Sequence, residues 1–284
     1  MIEPELHGSA LRDEILHSPL QAGRAQVWRL GQSGVVARFA SARVLFDAYL
    51  SNHGEAVLGA PFDHRRMTRS PLDPVDLDFL DVILCSHDHL DHLDPPTLRT
   101  LARQNPTAVV AAPATAAAQL RELGWEADRI IAATHGTVEE VGGLRLEAFA
   151  VPHDEFDADA DGNFPYLGWI VDDGAIRIAH LGDARAHDSV TAALAATPVD
   201  LLAAPINGRD ERRAEMGFAG NMSAEEAVET ARVSNARLTL PMHYDMFSQN
   251  VDDRALGRFI EAASLAGVSV QVLPVGRALT LGDS

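Results

Sequence analysis

Nine consecutive residues, Ser86, His87, Asp88, His89, Leu90, Asp91, His92, Leu93 and Asp94, follow directly on the short apolar run DVILC (81–85). A run of that length and character reads as a buried strand. Its tip therefore presents a packet of imidazoles and carboxylates. At two-residue spacing on an extended segment, His87 and His89 point the same way. Asp91 and His92 then fall on the following turn, free to face elsewhere. A divalent ion such as zinc needs several such groups converging at about 2.0–2.2 Å. A solvated polar loop is the alternative, but it gives no reason for His-x-His-x-Asp-His behind a buried strand. The segment supplies ligands to two ions, and the fold must bring other strand ends to meet it.

Three further groups sit at such ends: His153 after VP, Asp183 after HLG and His243 after LPM. Each leaves an apolar run at the edge of a prospective sheet, where α/β proteins commonly build sites. Asp183, behind Gly182 in a tight turn, is placed to bridge two ions. Around these groups the chain alternates strand-like runs (QVWRLGQSGVVARF as two strands, RVLFD, TAVVAAP, RIIAA, LRLEAFAVPH, YLGWIVDD, IRIAHLGD, DLLAAP, RLTLP, VSVQVLP) with helical ones (PPTLRTLARQ, TAAAQLRELG, 189–196, SAEEAVETARV, DDRALGRFIEAASLAG). Ser223 followed by Glu226 forms a capping-box pattern. The Pro-, Gly- and Arg-rich stretch 54–74 reads as a surface loop. Strands and helices mixed throughout, with no long linker, predict one α/β domain over 1–284, with 1–25 as an N-terminal lead-in.

Composition narrows the partners. The formal net charge of the 284 residues is −18, and every basic residue is arginine. Such a surface repels phosphate backbones and anionic lipid, so neither nucleic acid nor membrane is expected as a partner. Cys85 is the only cysteine. It excludes an intrachain disulfide, fits a reducing compartment and, at the end of an apolar run, is expected to be buried and inert. The N-terminus has acids early and no continuous apolar stretch, unlike a signal peptide or membrane span, so a cytoplasmic location is expected.

The set SHDHLDH, VPH, HLGD and PMH, in this chain order, resembles the metallo-β-lactamase superfamily from about Trp28 to the C-terminus. The resemblance implies a four-layer αββα sandwich. It implies one metal on His87, His89 and His153, the other on Asp91, His92 and His243, and Asp183 between them. WRLGQSG, LFDAYLS, PINGRD, GNMSAEEA and LPMHYDMF are similar to the branch that contains ascorbate-6-phosphate lactonase and related hydrolases. That similarity implies a small cyclic ester, phosphorylated or not, as substrate, and manganese beside zinc as the metal.

Two cations sharing a water lower its pKa toward neutrality and make hydroxide the nucleophile, so no activated serine is needed. Asp91 and Asp183 are then the catalytic carboxylates, with Asp91 orienting the hydroxide or taking its proton. Imidazole and carboxylate ligands suit zinc, manganese or iron, and no cysteine selects a soft ion. Asn207, Arg209, Asn221 and Tyr244 are candidate substrate contacts. The guanidinium fork of Arg209 matches carboxylate or phosphate and anticipates an anionic small molecule. The competing readings are a surface ion pair within RDERR for Arg209 and packing for Tyr244. The same ligands would serve a phosphodiesterase or a non-catalytic metal-dependent sensor, and a homo-oligomer stays open.

Asp47 either hydrogen-bonds a ligand histidine, fixing its tautomer, or is a turn carboxylate. His180 is expected to pack or to support a ligand, whereas His7, His17, His53, His64, His135 and His187 are expected to face solvent. DADADGN (157–163) copies the start of a calcium loop, but its twelfth position is Gly168 where a bidentate Glu is required; it reads as an acidic loop.

Overall fold

Alternation along the strands decides the architecture. In the computed structural model, which describes residues 1–153, 156, 158–196 and 198–282, the first six strands are β1 (Ala25–Gly31), β2 (Gly34–Arg38), β3 (Arg43–Phe46), β4 (Val82–Leu84), β5 (Val109–Pro113) and β6 (Ile130–Ala133). Successive side chains of a strand point to opposite faces. Val27, Val35, Ala37, Val44, Phe46, Val82 and Leu84 share one apolar cluster, while their neighbours Trp28, Val36, Leu45 and Ile83 belong to another.

The second sheet repeats the device with β7 (Val138–Val141), β8 (Leu144–Ala150), β9 (Leu167–Asp172), β10 (Arg177–His180), β11 (Leu201–Pro205) and β12 (Thr239–Met242). Leu146, Trp169, Val171, Ile178 and Leu201 join the same inner cluster as the first sheet, whereas Ile170, Ala179 and Leu202 turn outward. The last strand, β13 (Ala278–Leu281), returns to pair antiparallel with β1. The sheet orders are β13-β1-β2-β3-β4-β5-β6 and β12-β11-β10-β9-β8-β7.

Helices cover both outer faces. Residues of α1 (Gly8–His17), α3 (Pro95–Gln104) and α4 (Ala117–Glu122) enter the outer cluster of the first sheet, and α2 (His53–Val57) lies in the long connection after β3. Those of α5 (Asp188–Ala195), α7 (Ala224–Val233) and α8 (Ala255–Ala266) enter that of the second, with the short α6 (Glu211–Glu215) between β11 and α7. The result is the four-layer αββα sandwich. The capping box at Ser223 and Glu226 opens α7 in both directions. Gly267 closes α8 in the left-handed conformation that a residue without Cβ adopts most cheaply. Among the described residues, no helix is long and apolar enough to cross a membrane.

Four readings of the sequence need revision. VSVQVLP is not a strand: Val270 makes a single bridge to Thr239, and the terminal strand is the four-residue β13. The half-exposed edge strand β7 (VEEV) went unseen because an edge exposed on both faces lacks apolar alternation. Residues 54–74 are not all loop, since α2 begins at His53 and a 3₁₀ turn spans Pro74–Asp76. The five-residue α6 was also missed, being too short for a period to show.

One buried ion pair ties the end of β12 to β1. The Arg29 guanidinium donates to both carboxylate oxygens of Asp245, at 2.9 and 2.6 Å, and its charged carbon lies 4.7 Å from the centre of the Tyr244 ring. Arg29 is only 2% exposed, so removing it strands a carboxylate that is itself 12% exposed. Arg29→Met is expected to lower the free energy of unfolding by about 3–5 kcal/mol. Ser223→Ala, which removes one cap, should cost about 1 kcal/mol. Urea titrations of the two variants rank the effects, and equal losses would reduce the Arg29 pair to the standing of a surface contact.

Candidate metal centre

The strands that carry candidate ligands end at one rim of the sandwich. His87 follows β4 by three residues, His153 follows β8 by three, Asp183 follows β10 by three, and His243 is the residue after β12. The structure brings them together in two adjoining groups that could each hold a metal ion: His87, His89, His153 and Asp183, and Asp91, His92 and His243, with ligand atoms within 4.8 Å of one another inside a group. The Asp183 carboxylate reaches into both. Its Oδ2 lies 3.1 Å from His243 Nε2 and 3.9 Å from His153 Nε2, and its Oδ1 lies 3.2 Å from His92 Nε2.

A small network sets which ring nitrogen faces inward. The backbone N–H and the hydroxyl of Ser86 donate to the two oxygens of Asp47 at 2.7 and 2.6 Å. Having spent its one proton, the Ser86 hydroxyl accepts from Nδ1–H of His87 at 2.9 Å. His92 Nδ1–H donates to Asp47 Oδ2 at 2.8 Å. Both rings therefore turn Nε2 into the cluster, and the buried His87 Nε2 has no hydrogen-bond partner there. A buried imidazole nitrogen with its lone pair unpartnered, among carboxylates, is what a metal ligand needs and what a core histidine avoids. The residues present fit a divalent ion.

Backbone strain concentrates at the same rim. Of the four non-glycine residues with positive φ among the described residues, three are Gln32 (50°), Asp47 (39°) and His243 (62°). Such conformations persist where surrounding contacts over-determine them. The His243 N–H donates to Gln32 O at 3.2 Å, and Gln32 Nε2 donates to Asp91 Oδ2 at 2.7 Å and lies 2.9 Å from His243 Nε2. Gly182 (φ 56°) meets the same rim, where an added Cβ would sit 2.5 Å from Ser86 Cβ and Oγ.

Charges at the centre answer one another. Burial opposes protonation of His92 and His243, but the surrounding carboxylates outweigh it: His92 is held well above its usual range by Asp183, Asp91 and Asp47, and His243 is raised to about 9 by Asp183 and Asp91. Burial also opposes ionisation of Asp91 and Asp183, yet the facing histidines hold both below the usual carboxylate range. His87 goes the other way, pushed well below by burial and then by His92 and His89.

Several residues at the centre carry no sequence signal of their own. Gln32 and Ser86 steady ligands from neighbouring turns, and the Tyr166 ring packs 5.0 Å from His153 and 5.3 Å from His87. Asp47 has the ligand-orienting geometry of the first of its two readings. His180 is buried, stacked 5.1 Å from Phe46, with Nε2 donating to Ser33 O at 2.8 Å. Cys85 is buried, as its place in the run implies, and burial pushes its thiol up.

The expected substrate contacts are placed elsewhere. The cluster opens on a cavity of about 440 Å³, and none of Asn207, Arg209, Asn221 and Tyr244 lines it. Asn221 Nδ2 donates to Asn207 Oδ1, and Asn207 Nδ2 to Asn250 O, so two buried amides brace Asn250, which does line the cavity. Arg209 is held by both oxygens of Glu226 at 2.7 Å, a partner on α7 rather than within RDERR. Tyr244 packs under Arg29. His64 is not solvent-facing either: it is half-buried in the cavity wall, and His53 is partly buried. Asp157 of the acidic loop lies outside the described residues.

Two outcomes follow from this electrostatic arrangement. A histidine raised from 6.5 to about 9 stabilises the metal-free fold fully below pH 6.5 and loses that contribution as pH rises through about 9. The melting temperature of chelated protein is expected to fall across that window, while metal-loaded protein, whose ligand imidazoles are neutral throughout, should not share the fall. Parallel curves would remove His243 from the ligands. Asp47→Asn is expected to weaken metal binding about 10–100-fold by loosening His92 and His87, measured by chelator competition; unchanged affinity would leave Asp47 as a turn carboxylate.

Comparison with known proteins agrees with this geometry. A family model described as the β-lactamase superfamily domain matches residues 42–244. "Protein Rv0786c" of Mycobacterium tuberculosis is 28% identical over 261 residues, covering 90% of this chain and 99% of its own. "UPF0173 metal-dependent hydrolase SSO0099" of Saccharolobus solfataricus is 26% identical over 265 residues, covering 90% and 100%. Among solved structures, Igni18, described as a novel metallo hydrolase from Ignicoccus hospitalis, superposes with a TM-score of 0.70 at 18% identity, covering 92% of this chain and all of its own.

Proposed function

The chain belongs to the β-lactamase superfamily domain family, and from that premise we propose that it is a metal-dependent hydrolase acting on a small lactone at a two-metal centre. The observation that carries this reading is the pair of adjoining ligand groups with the Asp183 carboxylate reaching both, at the mouth of a cavity large enough for a small molecule. The name of the S. solfataricus relative supports the reaction class. Two divalent ions, zinc or manganese, would supply the Lewis acidity that lowers the pKa of a water and polarises a carbonyl.

The protein's own groups divide the remaining work. His87, His89 and His153 form one ligand set, Asp91, His92 and His243 the other, and Asp183 stands between. Asp91 lines the cavity and is steadied by Gln32, so it is placed to take a proton from the attacking water. In the reaction the water oxygen bonds to the lactone carbonyl carbon and the ring C–O bond breaks. One proton ends on the freed alcohol, and the other leaves the new carboxylic acid for solvent.

Metal analysis after reconstitution should give two equivalents per chain, and chelation should abolish lactone opening followed by proton release. Asp183→Asn is expected to lower both metal content and turnover by at least about a hundredfold, since it removes a ligand from each group. A single tightly held metal with full activity, or turnover that survives Asp183→Asn, would sink the two-metal reading.

A further inference from the structure

Beyond the ligands, the cavity wall is a cage of rings. Phe62 and Phe218 meet edge to face, with centroids 5.3 Å apart and planes at 87°. His64 lies 4.9 Å from Phe247, 5.9 Å from Phe62 and 6.2 Å from Phe218, nearly parallel to the last at 28°. These rings come from three separate segments, and Leu58 and Leu90 complete the apolar lining. Burial pushes the His64 imidazole below its usual value, so it joins the wall as an uncharged ring at neutral pH.

No lysine or arginine stands among the described lining residues. Of the nearby arginines, Arg209 pairs with Glu226, Arg213 with Asp210 and Arg65 with Asp63, while Arg185 and Arg212 donate to the backbone carbonyls of Gly220 and Gln249 and do not line the cavity. Away from the ligand histidines, the charged side chains in the lining are carboxylates, Asp91 and Asp183 in the cluster and the exposed Asp88, which belongs to neither ligand group. An anionic group held away from the metals would find no donor fork and one or more like charges. A flat apolar group would meet a wall of rings that pack on one another at 4.9–6.2 Å and present edges and faces to the cavity, the contacts aromatic pairs prefer. This is the reverse of the anionic substrate that Arg209 suggests in the sequence.

We infer that the non-reacting part of the substrate is an uncharged aromatic ring packed against the wall formed by Phe62, His64, Phe218 and Phe247, making the natural substrate class a neutral aryl-bearing lactone or ester. The inference rests on the hydrolase reading for its reacting group, but the ring site is a property of the cage itself. Phe62, Phe218 and Phe247 determine specificity, and Asp91, with any metal that the ligand groups hold, would face the ester.

The test compares 3,4-dihydrocoumarin with the same lactone carrying a carboxylate on its aromatic ring, far from the reacting carbonyl. The neutral lactone is expected to have a kcat/KM at least about tenfold higher. Phe62→Ala and Phe218→Ala should each raise its KM about tenfold with kcat nearly unchanged. Phe218→Arg, at a partly exposed site, should shift preference toward the carboxylated lactone. Equal or better turnover of the charged lactone by the native enzyme, or unchanged KM in both alanine variants, overturns the inference. Binding of inert 3-phenylpropionamide, followed by saturation-transfer NMR, separates this idea from the hydrolase reading. If neither lactone is opened but the amide binds and Phe218→Ala abolishes that binding, the ring site stands and the lactonase reading falls. If the amide does not bind the native protein, the ring site falls whatever the turnover.

Discussion

Three carboxylates share one imidazole at the rim of an apolar sandwich: Asp47 sits on Nδ1 of His92 at 2.8 Å, while Asp183 and Asp91 face its Nε2 at 3.2 and 3.6 Å. Ionised carboxylates there are unstable unless opposite charge or several hydrogen-bond donors face them. The surrounding structure is organised to meet that demand. Asp47 accepts hydrogen bonds from Ser86 and His92, and in doing so it turns Nε2 of His92 inward. Asp91 and Asp183 keep their charge against His92 and His243. Positive charge is thus gathered where negative charge is fixed, and a divalent ion takes over a place that protons otherwise fill.

The backbone bends to make this meeting possible. A parallel or antiparallel strand delivers side chains to its two faces, not to its end, so a ligand at the end requires the chain to turn at once. His243 does so in a left-handed conformation directly after β12, and Asp47 does the same directly after β3. The Arg29–Asp245 pair and the Gln32–His243 contacts hold the first of these turns against β1 and the turn that follows it. Local strain near the ligands is matched by tertiary contacts that leave the turns no alternative.

How far the sequence could be read follows from distance along the chain. The candidate ligands were legible because four of them crowd into six residues, 87–92, and the others mark the ends of apolar runs. The four layers were legible only through the family resemblance, since β2, β3 and β4 are continuously apolar in sequence and their two-sided burial appears only in the fold. Arg29 carried no such mark: its partner lies 216 positions away, and a lone arginine in a strand reads as an exposed residue. Arg209 misled for the complementary reason, since its residue type suggests an anion and its actual anion, Glu226, belongs to a helix cap. The ring cage escaped because Phe62 and His64 sit in a Pro- and Arg-rich stretch, and only the fold brings Phe218 and Phe247 beside them.

The ligands are divided between the two sheets. His87, His89, Asp91 and His92 hang from the first, and His153, Asp183 and His243 from the second. Each of the two ligand groups draws on both. An ion seated in either group is therefore a rivet through the seam of the sandwich, in a protein whose single cysteine offers no covalent staple. Metal occupancy would add to the apolar inner cluster that already joins the two sheets, and a complete ligand set exists only in chains whose halves have closed.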